Sequence, residues 1–218
     1  MSCAREARKL ANFISSLENF QTYHVAEKFC YDHIGALFTD IVLQAGVNYA
    51  HVVKPRVHRI LIKYPEAHTV KRFKEVIDRD GLENIIYWKH NTKIERIHRL
   101  IEFSLENKLN SCADLKLYLF KSENQQNLLK LNGVGPKTLD YLLKLLNFDT
   151  VAVDRHIYSF VEMADIQTEG YHPTKRIVEF AADFLQVSRS SIDYSIWRFM
   201  SNKEPEVKAA NNQLSFDF

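Results

Sequence analysis

The chain has 218 residues, of which 46% are hydrophobic, and this is enough for a real core in one large domain or two small lobes. The formal net charge of +2 does not by itself indicate a nucleic-acid-binding protein. No apolar run approaches the roughly 20 residues that span a bilayer, and charged residues interrupt the N-terminus where a secretory signal is apolar. We therefore expect a soluble, cytoplasmic protein with no membrane partner.

Apolar residues recur at helical spacing along almost the whole chain, which predicts an all-α fold. A helix starts near Pro55, because proline favours the first helical turn. Another is capped by Thr69 and ends at Gly81. Residues 115–120 fit either a helix or a strand. The predicted helices, in chain order, are residues 4–18, 38–45, from about 55 to 64, 70–80, 91–109, two within 123–147, 154–164, 173–187 and 189–201.

Three scattered cysteines, Cys3, Cys30 and Cys112, form no CxxC pair. Their number and spacing indicate neither a zinc site nor a disulfide framework. An iron–sulfur cluster is not indicated either, because such clusters usually require four thiolates. We therefore expect buried or incidental thiols and no metal–sulfur cofactor.

Two glycines lie one residue apart inside LLKLNGVGPKTLDYLL (128–143), between two amphipathic helical patterns. Gly133 and Gly135 permit positive φ and a close approach of the backbone to another molecule. The second helix would present unpaired N–H groups and its positive dipole end at this turn, which suits a phosphate. Leu131 and Val134 would bury the turn against the core. The alternative is a tight helical turn that has no ligand.

Positive charge is concentrated in residues 51–100, which contain twelve Lys or Arg, six Asp or Glu and five histidines. This local excess suits a surface that faces phosphates. An ordinary solvated helix face would have the same composition.

Asp154 lies seventeen residues beyond Lys137, in the segment VAVDRHI (151–157). A short extended piece at 150–153 precedes it, and a helix is predicted to follow. The aspartate therefore stands at a helix start, where it can serve as an ordinary N-cap or as a catalytic carboxylate.

Residues 128–143 resemble the helix-hairpin-helix motif, a sequence-independent clamp for the DNA backbone. Together with Asp154, they resemble the helix-hairpin-helix DNA glycosylase superfamily over about residues 35–202. In that family the aspartate is the catalytic carboxylate, and in bifunctional members a lysine at the position of Lys137 is the nucleophile. The resemblance implies a glycosylase domain over 1–203, in two helical lobes with the hairpin at the mouth of an interlobe cleft.

Arg155 and the C-terminal SSIDYSIWRFMSNKE (190–204) are similar to the small 8-oxoguanine DNA glycosylase/AP lyases of archaea and bacteria. The chain departs from that branch by continuing beyond Lys203, which leaves the identity of the base open. It departs from the endonuclease III branch by lacking the cluster cysteines.

The resemblance implies removal of a damaged base from double-stranded DNA, with 8-oxoguanine favoured, followed by strand cleavage at the abasic site. It implies nucleoid association and no organic cofactor, with K+ or Na+ as a candidate ligand of the hairpin carbonyls of Leu131 and Val134. A monofunctional glycosylase that activates water through Asp154 is one alternative. A non-catalytic DNA-binding module is another.

An attacking amine must be neutral, and burial of Lys137 beside the hairpin would favour that form. The alternative role of Lys137 is a phosphate contact. The target base must also leave the duplex, which requires DNA contacts, a residue that fills the gap, and a pocket. The predicted DNA contacts are Gly133, Val134, Gly135 and Thr138, the gap fillers are Gln44 or Asn48, and the pocket residues are Tyr49, Trp88, His156, Tyr194 and Trp197. The gap fillers also fit as polar helix residues, the aromatic residues fit equally as core, and His156 as a surface or capping residue.

The last residues, 204–218, are polar and lack periodicity until QLSFDF, which predicts a flexible tail. QLSFDF resembles the short peptides by which bacterial repair proteins grip the replication sliding clamp. An extended peptide could place Leu214, Phe216 and Phe218 in an apolar pocket, with Gln213 before them. Short tail motifs also arise by chance.

Overall fold

Helices form almost all of the regular structure in the computed structural model, which describes residues 2–24 and 31–213, with side chains up to residue 201. This part of the chain contains twelve α-helices and no strand, so the all-α prediction is confirmed. The helices are α1 (Cys3–Ser16), α2 (Ile34–Leu43), α3 (Lys54–Lys63), α4 (Val70–Asp80), α5 (Leu82–Ile86), α6 (Asn91–Glu106), α7 (Cys112–Leu119), α8 (Ser122–Leu129), α9 (Pro136–Leu145), α10 (Arg155–Met163), α11 (Tyr171–Leu185) and α12 (Arg189–Gln213). A π-helical turn, Tyr49–Val53, precedes α3, and a 3₁₀ turn, Pro65–His68, follows it.

The chain divides into two compact units. The central unit is Lys28–Phe148, and the terminal unit combines Met1–Glu27 with Asp149–Phe218. In the central unit, α3, α4, α6 and α9 pack around α2. All ten residues of α2 are buried, and its sequence IGALFTDIVL is apolar on nearly every face, as a helix at the centre of a core requires.

The terminal unit buries one face of α1 against α11, while α10 packs on α12. Ala7, Leu10 and Ile14 follow helical spacing along α1, and all three are buried, as the sequence predicts. Phe160 of α10 is fully buried and contacts the rings of Phe13 and Phe199. The N-terminal helix therefore completes the core formed by the last third of the chain.

Local signals predicted several helix boundaries correctly. Pro55 lies in the first turn of α3, and the Thr69 hydroxyl accepts the Arg72 N–H at 3.3 Å to cap α4. Gly81 ends α4 with φ +76, a conformation that glycine adopts without strain. The short apolar piece left open as helix or strand is helical, in α7. None of the described helices is both long and apolar enough to cross a bilayer.

The C-terminal end differs from the sequence-based expectation. The backbone of α12 is helical through Gln213, whereas an aperiodic tail was predicted from Glu204. Residues 205–213 contain good helix formers such as Lys208, Ala209 and Ala210, and a prediction based on an apolar face does not take these into account. Residues 214–218 lie outside the described residues, and the flexibility of the tail stays a prediction.

Candidate functional site

The turn between α8 and α9 reverses the chain within a few residues. The Val134 N–H donates to the Leu131 carbonyl at 3.0 Å, and Gly133 adopts φ +96. Leu131 and Val134 are half-buried and pack against the core of the central unit, as predicted. Val134, Gly133 and Thr138 also line a small cavity beneath the turn. The turn is therefore anchored from below by its two apolar residues.

Gly133 combines a positive φ with a close neighbour, the flexible side chain of Arg96. A Cβ added there would lie 2.2 Å from Nε and 2.6 Å from Cδ of Arg96, which is far inside van der Waals contact. Arg96 belongs to α6, and one turn further along α6 the Arg99 Nη1 lies 3.5 Å from the Asn132 carbonyl oxygen. Two guanidinium groups that the sequence reasoning did not single out thus lie at the turn.

Gly135 faces open space instead. No atom lies within 4 Å of a Cβ built on it, and its φ of −97 is open to any residue. Gly135 is also the N-cap of α9, which has no side-chain cap and no acidic residue in its first turn. The first N–H groups and the positive dipole end of α9 are therefore accessible to an anion.

Lys137 and Thr138 are the second and third residues of α9, beside this open helix end, and both are half-buried. On the α8 side, Lys130 is exposed and donates to the Asn127 side chain at 2.9 Å. Lysines therefore lie on both sides of the turn in sequence, and the guanidinium groups of Arg96 and Arg99 lie next to it.

A monovalent cation at the carbonyls of Leu131 and Val134 stays a prediction. The Leu131 carbonyl already accepts the Val134 N–H. The guanidiniums of Arg96 and Arg99 at the turn oppose a further positive charge there. The residues present therefore do not favour such an ion.

The cationic stretch predicted from composition separates into two groups in the structure. Arg72, Lys74 and Arg79 of α4 pair with carboxylates on or next to their own helix. The cations of α3 form no ion pair among the described residues, and neither do Lys93 and Arg96 of α6. Of these three helices, α3 is the one whose positive charge is least compensated, because it has four Lys or Arg and no carboxylate.

The two predicted gap-filling residues follow the end of α2. Gln44 is the half-buried C-cap of α2. Asn48 is exposed, but its Oδ1 accepts the His51 N–H at 3.0 Å and caps the π-helical turn. On either side of Gln44, the carbonyls of Leu43 and Ala45 each accept a hydrogen bond from Lys93 at 2.8 Å. Burial and the nearby Arg96 lower the pKa of Lys93.

A buried carboxylate in α2 was not identified from the sequence. Asp40 is fully buried, and its Oδ2 accepts the hydroxyls of Tyr31 at 2.7 Å and Tyr49 at 3.0 Å. Its Oδ1 accepts the hydroxyl of Tyr141 at 3.0 Å. Burial raises the pKa of Asp40 and, with the carboxylate beside them, the pKa values of all three tyrosines. Tyr49, a predicted pocket residue, therefore uses its hydroxyl inside the fold.

Asp154 is the N-cap of α10 in the terminal unit, directly after the buried residues Val151, Ala152 and Val153. Its Oδ1 accepts the N–H groups of His156 at 2.9 Å and Ile157 at 3.1 Å, so its role as an N-cap is confirmed. Its Oδ2 lies 3.2 Å from the imidazole Nδ1 of His156. The side chain of Asp154 remains 22% exposed, and its catalytic role stays a prediction.

His156 is buried at 8% exposure and paired with Asp154, so the interpretation of His156 as a surface residue is wrong. It lies in the first turn of α10, where its ring packs beside the cap rather than into solvent. Its predicted role near a base pocket stays a prediction.

The aromatic pocket candidates fall into both units. In the terminal unit, Tyr194 and Trp197 are partly exposed and stacked with centroids 6.0 Å apart, and Tyr23 meets the Tyr194 ring edge-on. In the central unit, Trp88 is half-buried, with Arg56 on its ring. Trp88 also packs against the core of the central unit, whereas Tyr194 and Trp197 are each 39% exposed.

The predicted functional residues are distributed over the two units. Lys137 belongs to the central unit and Asp154 to the terminal unit. Of the predicted clamp-binding residues, Gln213 is the last residue of α12, and Leu214, Phe216 and Phe218 lie outside the described residues. The described residues contain no cluster of three or more His, Cys, Asp or Glu side chains that could hold a metal ion.

Comparisons of the chain with protein-family models, with curated proteins and with solved structures found no match.

Proposed function

We propose that this chain is a base-excision DNA glycosylase with an associated abasic-site lyase activity. In this proposal α8, its turn and α9 form a helix-hairpin-helix motif that binds the DNA backbone. The observation that carries it is the open, uncapped start of α9 at Gly135, with Lys137 and no acidic residue in the first turn. A helix end of this kind suits a phosphate.

The lysine also suits covalent chemistry. The Lys137 amine would attack C1′ of the damaged nucleotide, form a C–N bond and displace the base with the electrons of the glycosidic bond. The sugar ring then opens by cleavage of C1′–O4′, with a proton transferred to O4′, and this leaves an imine between Lys137 and C1′. The imine acidifies the C2′ protons, and loss of one of them eliminates the 3′ phosphate and cuts the strand. This route needs no oxidant or reductant, so the chain would not require a redox cofactor.

Asp154 would supply the carboxylate of the reaction. Its Oδ1 is held by two backbone N–H groups, which fixes the orientation of the side chain, while a part of the carboxylate remains exposed. A fixed carboxylate can accept the proton of the attacking amine or stabilise the positive charge that develops on the sugar. Capping and catalysis are therefore compatible in this residue.

The substrate in this proposal is double-stranded DNA that contains a damaged base, with 8-oxoguanine favoured by resemblance, or an abasic site. The unpaired cations of α3 and α6 support a nucleic-acid partner, because phosphates are the abundant ligands of such a surface. We also propose a cytoplasmic, nucleoid-associated location on the same ground.

The test is borohydride trapping on duplexes that carry an abasic site or 8-oxoguanine. Wild-type protein should give a covalent protein–DNA band, because borohydride reduces the imine to a stable amine. Lys137→Ala should abolish the band, whereas Lys130→Ala, which removes an exposed lysine from the other arm of the same turn, should retain it. A wild-type protein that binds DNA without trapping would favour a monofunctional enzyme or a binding module.

A further inference from the structure

Cations lie on two neighbouring aromatic rings at the surface of the central unit. The guanidinium of Arg59 lies 4.0 Å from the centroid of Tyr87. Arg56 and Lys93 lie 5.5 Å and 4.6 Å from the centroid of Trp88. We refer to these five residues as the cation–aromatic cluster. Both rings therefore interact with positive charge through their faces.

The backbone holds the Tyr87 ring in solvent. Tyr87 ends α5 in the left-handed conformation, with φ 48 and ψ 53, which is uncommon for a residue with a bulky side chain. Arg56 stabilises this turn by donating to the Tyr87 carbonyl from Nε and Nη2, at 3.3 Å each. The residue is 58% exposed. A large ring is thus fixed at the surface by a strained turn, where it contributes little to the core.

Arg59 retains most of its hydrogen-bonding capacity. Its Nε donates weakly to the Ile85 carbonyl at 3.4 Å, and its terminal nitrogens have no partner among the described residues. The guanidinium donors of Arg59 suit an acceptor-rich ligand such as a nucleotide.

Positive charge is in excess around the cluster. Residues 54–63 contain four Lys or Arg and no carboxylate, and Glu83 is the only carboxylate in residues 81–94. The acidic residues of α4 pair with the cations of that helix. A polyanion is therefore the ligand that this surface fits by charge.

The cluster is continuous with the turn between α8 and α9. Lys93, Arg96 and Arg99 follow one another at intervals of three residues along α6, so they share one side of that helix. Lys93 contacts Trp88, while Arg96 and Arg99 contact the turn. The helical rise places the two ends of this row about 9 Å apart, which is comparable to one or two nucleotides of a strand.

We propose that the cation–aromatic cluster binds a single-stranded DNA segment, with a nucleobase stacked on Tyr87 and phosphates held by Arg56 and Arg59. Interleaved aromatic and basic side chains are the usual means of binding single strands, because every base has a face that can stack. This inference rests on the proposed function only in taking DNA as the ligand, and it adds a second contact next to the turn.

The test is fluorescence anisotropy with a labelled single-stranded oligonucleotide and with the matching intact duplex. Tyr87→Asn removes the ring but introduces a residue that tolerates positive φ. Tyr87→Phe is the matched control, because it keeps the ring and removes only the hydroxyl. We expect Tyr87→Asn to weaken binding of the single strand roughly tenfold, from the loss of one stacked base. Tyr87→Phe should bind nearly as the wild type does.

Arg59→Gln should also weaken binding of the single strand. Its matched control is Arg72→Gln, which removes the same charge from an exposed ion pair on α4. Binding of the duplex should change much less in every Tyr87 variant. Equal losses on both DNAs, or no loss with Tyr87→Asn, would overturn the stacking site.

Failure of this inference is distinguishable from failure of the proposed function. Unchanged single-strand binding in Tyr87→Asn, together with Lys137-dependent trapping, would remove the cluster and leave the enzyme. Single-strand binding that depends on Tyr87, without any trapped band, would support the cluster and remove the proposed lyase activity. Thermal unfolding of each variant establishes that a loss of binding is not a loss of fold.

Discussion

Gly133 and Gly135 lie in the same turn, but the structure explains the two glycines differently. At Gly133 the backbone has a positive φ, and the space for a Cβ is occupied by Arg96. At Gly135 the backbone conformation is ordinary and the space is empty. The first glycine therefore contributes to stability, and the second is open to a role in binding.

This difference predicts opposite outcomes for two alanine substitutions. Gly133→Ala should destabilise the protein by about 1–3 kcal/mol, through strain at positive φ and displacement of Arg96. The free energy of unfolding of Gly135→Ala should lie within about 0.5 kcal/mol of the wild-type value. This variant should nevertheless bind duplex DNA more weakly, because the added Cβ would lie where a phosphate approaches α9. Urea denaturation and anisotropy measure the two effects. Equal DNA affinity for Gly135→Ala and wild type would contradict the proposed contact.

Asp154 combines a structural and a proposed chemical role, which two substitutions separate. Asp154→Asn keeps a side-chain oxygen for the N–H groups of His156 and Ile157, and asparagine caps helices about as well as aspartate. We expect nearly unchanged stability and DNA affinity, with loss of base excision. Asp154→Ala should lose about 1 kcal/mol of stability in addition. Excision assays on 8-oxoguanine duplexes and thermal unfolding provide the measurements.

The same variant discriminates among the rival functions. A monofunctional glycosylase would lose excision with Asp154→Asn but would never show the trapped band. A non-catalytic DNA-binding module would have no excision to lose. Retention of full excision by Asp154→Asn would remove the carboxylate from the mechanism.

At the scale of elements, Asp40 joins three segments that are distant in sequence. Through the hydroxyls of Tyr31, Tyr49 and Tyr141, it links α2 to the segment before it, to the π-helical turn and to α9. The helix that carries Lys137 and the segment that follows Gln44 are therefore both bonded to one carboxylate. Such a network is costly to leave partly satisfied, which favours a single arrangement of these elements.

The raised pKa of Asp40 predicts a specific dependence of stability on pH. An ordinary aspartate has a pKa of about 3.9, so the unfolded chain ionises at a lower pH than the folded one. The free energy of unfolding should therefore fall as pH rises from about 4 through the raised pKa. Asp40→Asn removes this contribution. The stability of wild type relative to Asp40→Asn should decline over that range in urea denaturation.

Asp78→Asn is the control for this prediction. Asp78 is exposed and paired with Lys74 on α4, so its removal should not reproduce the decline. A stability difference between wild type and Asp40→Asn that stays constant with pH would contradict the assignment.

At the scale of the whole molecule, the tail is a separable part of the proposal. We propose that QLSFDF binds the replication sliding clamp. Deletion of residues 205–218 should abolish clamp binding in a pull-down and leave base excision intact, because the proposed catalytic residues precede the deletion. Replacement of Phe216 and Phe218 by alanine in the full-length chain is the finer test. Unchanged clamp binding in either variant would end this idea.

The sequence by itself determined the helical class and many boundaries, because these depend on short-range signals. Helical spacing predicted the buried face of α1, and Thr69 and Gly81 marked the ends of α4. The turn at Gly133 and the N-cap at Asp154 were predicted for the same reason, since capping and positive φ are properties of a few adjacent residues.

The tertiary structure alone decided which distant side chains meet. Arg96 lies against Gly133 and three tyrosines converge on Asp40, and no local pattern marks these contacts because they join residues up to about a hundred positions apart. It also decided that α1 packs with the last third of the chain, and which cations have ion-pair partners. Burial and charge pairing depend on the complete set of neighbours in space, which is a property of the folded chain rather than of any segment.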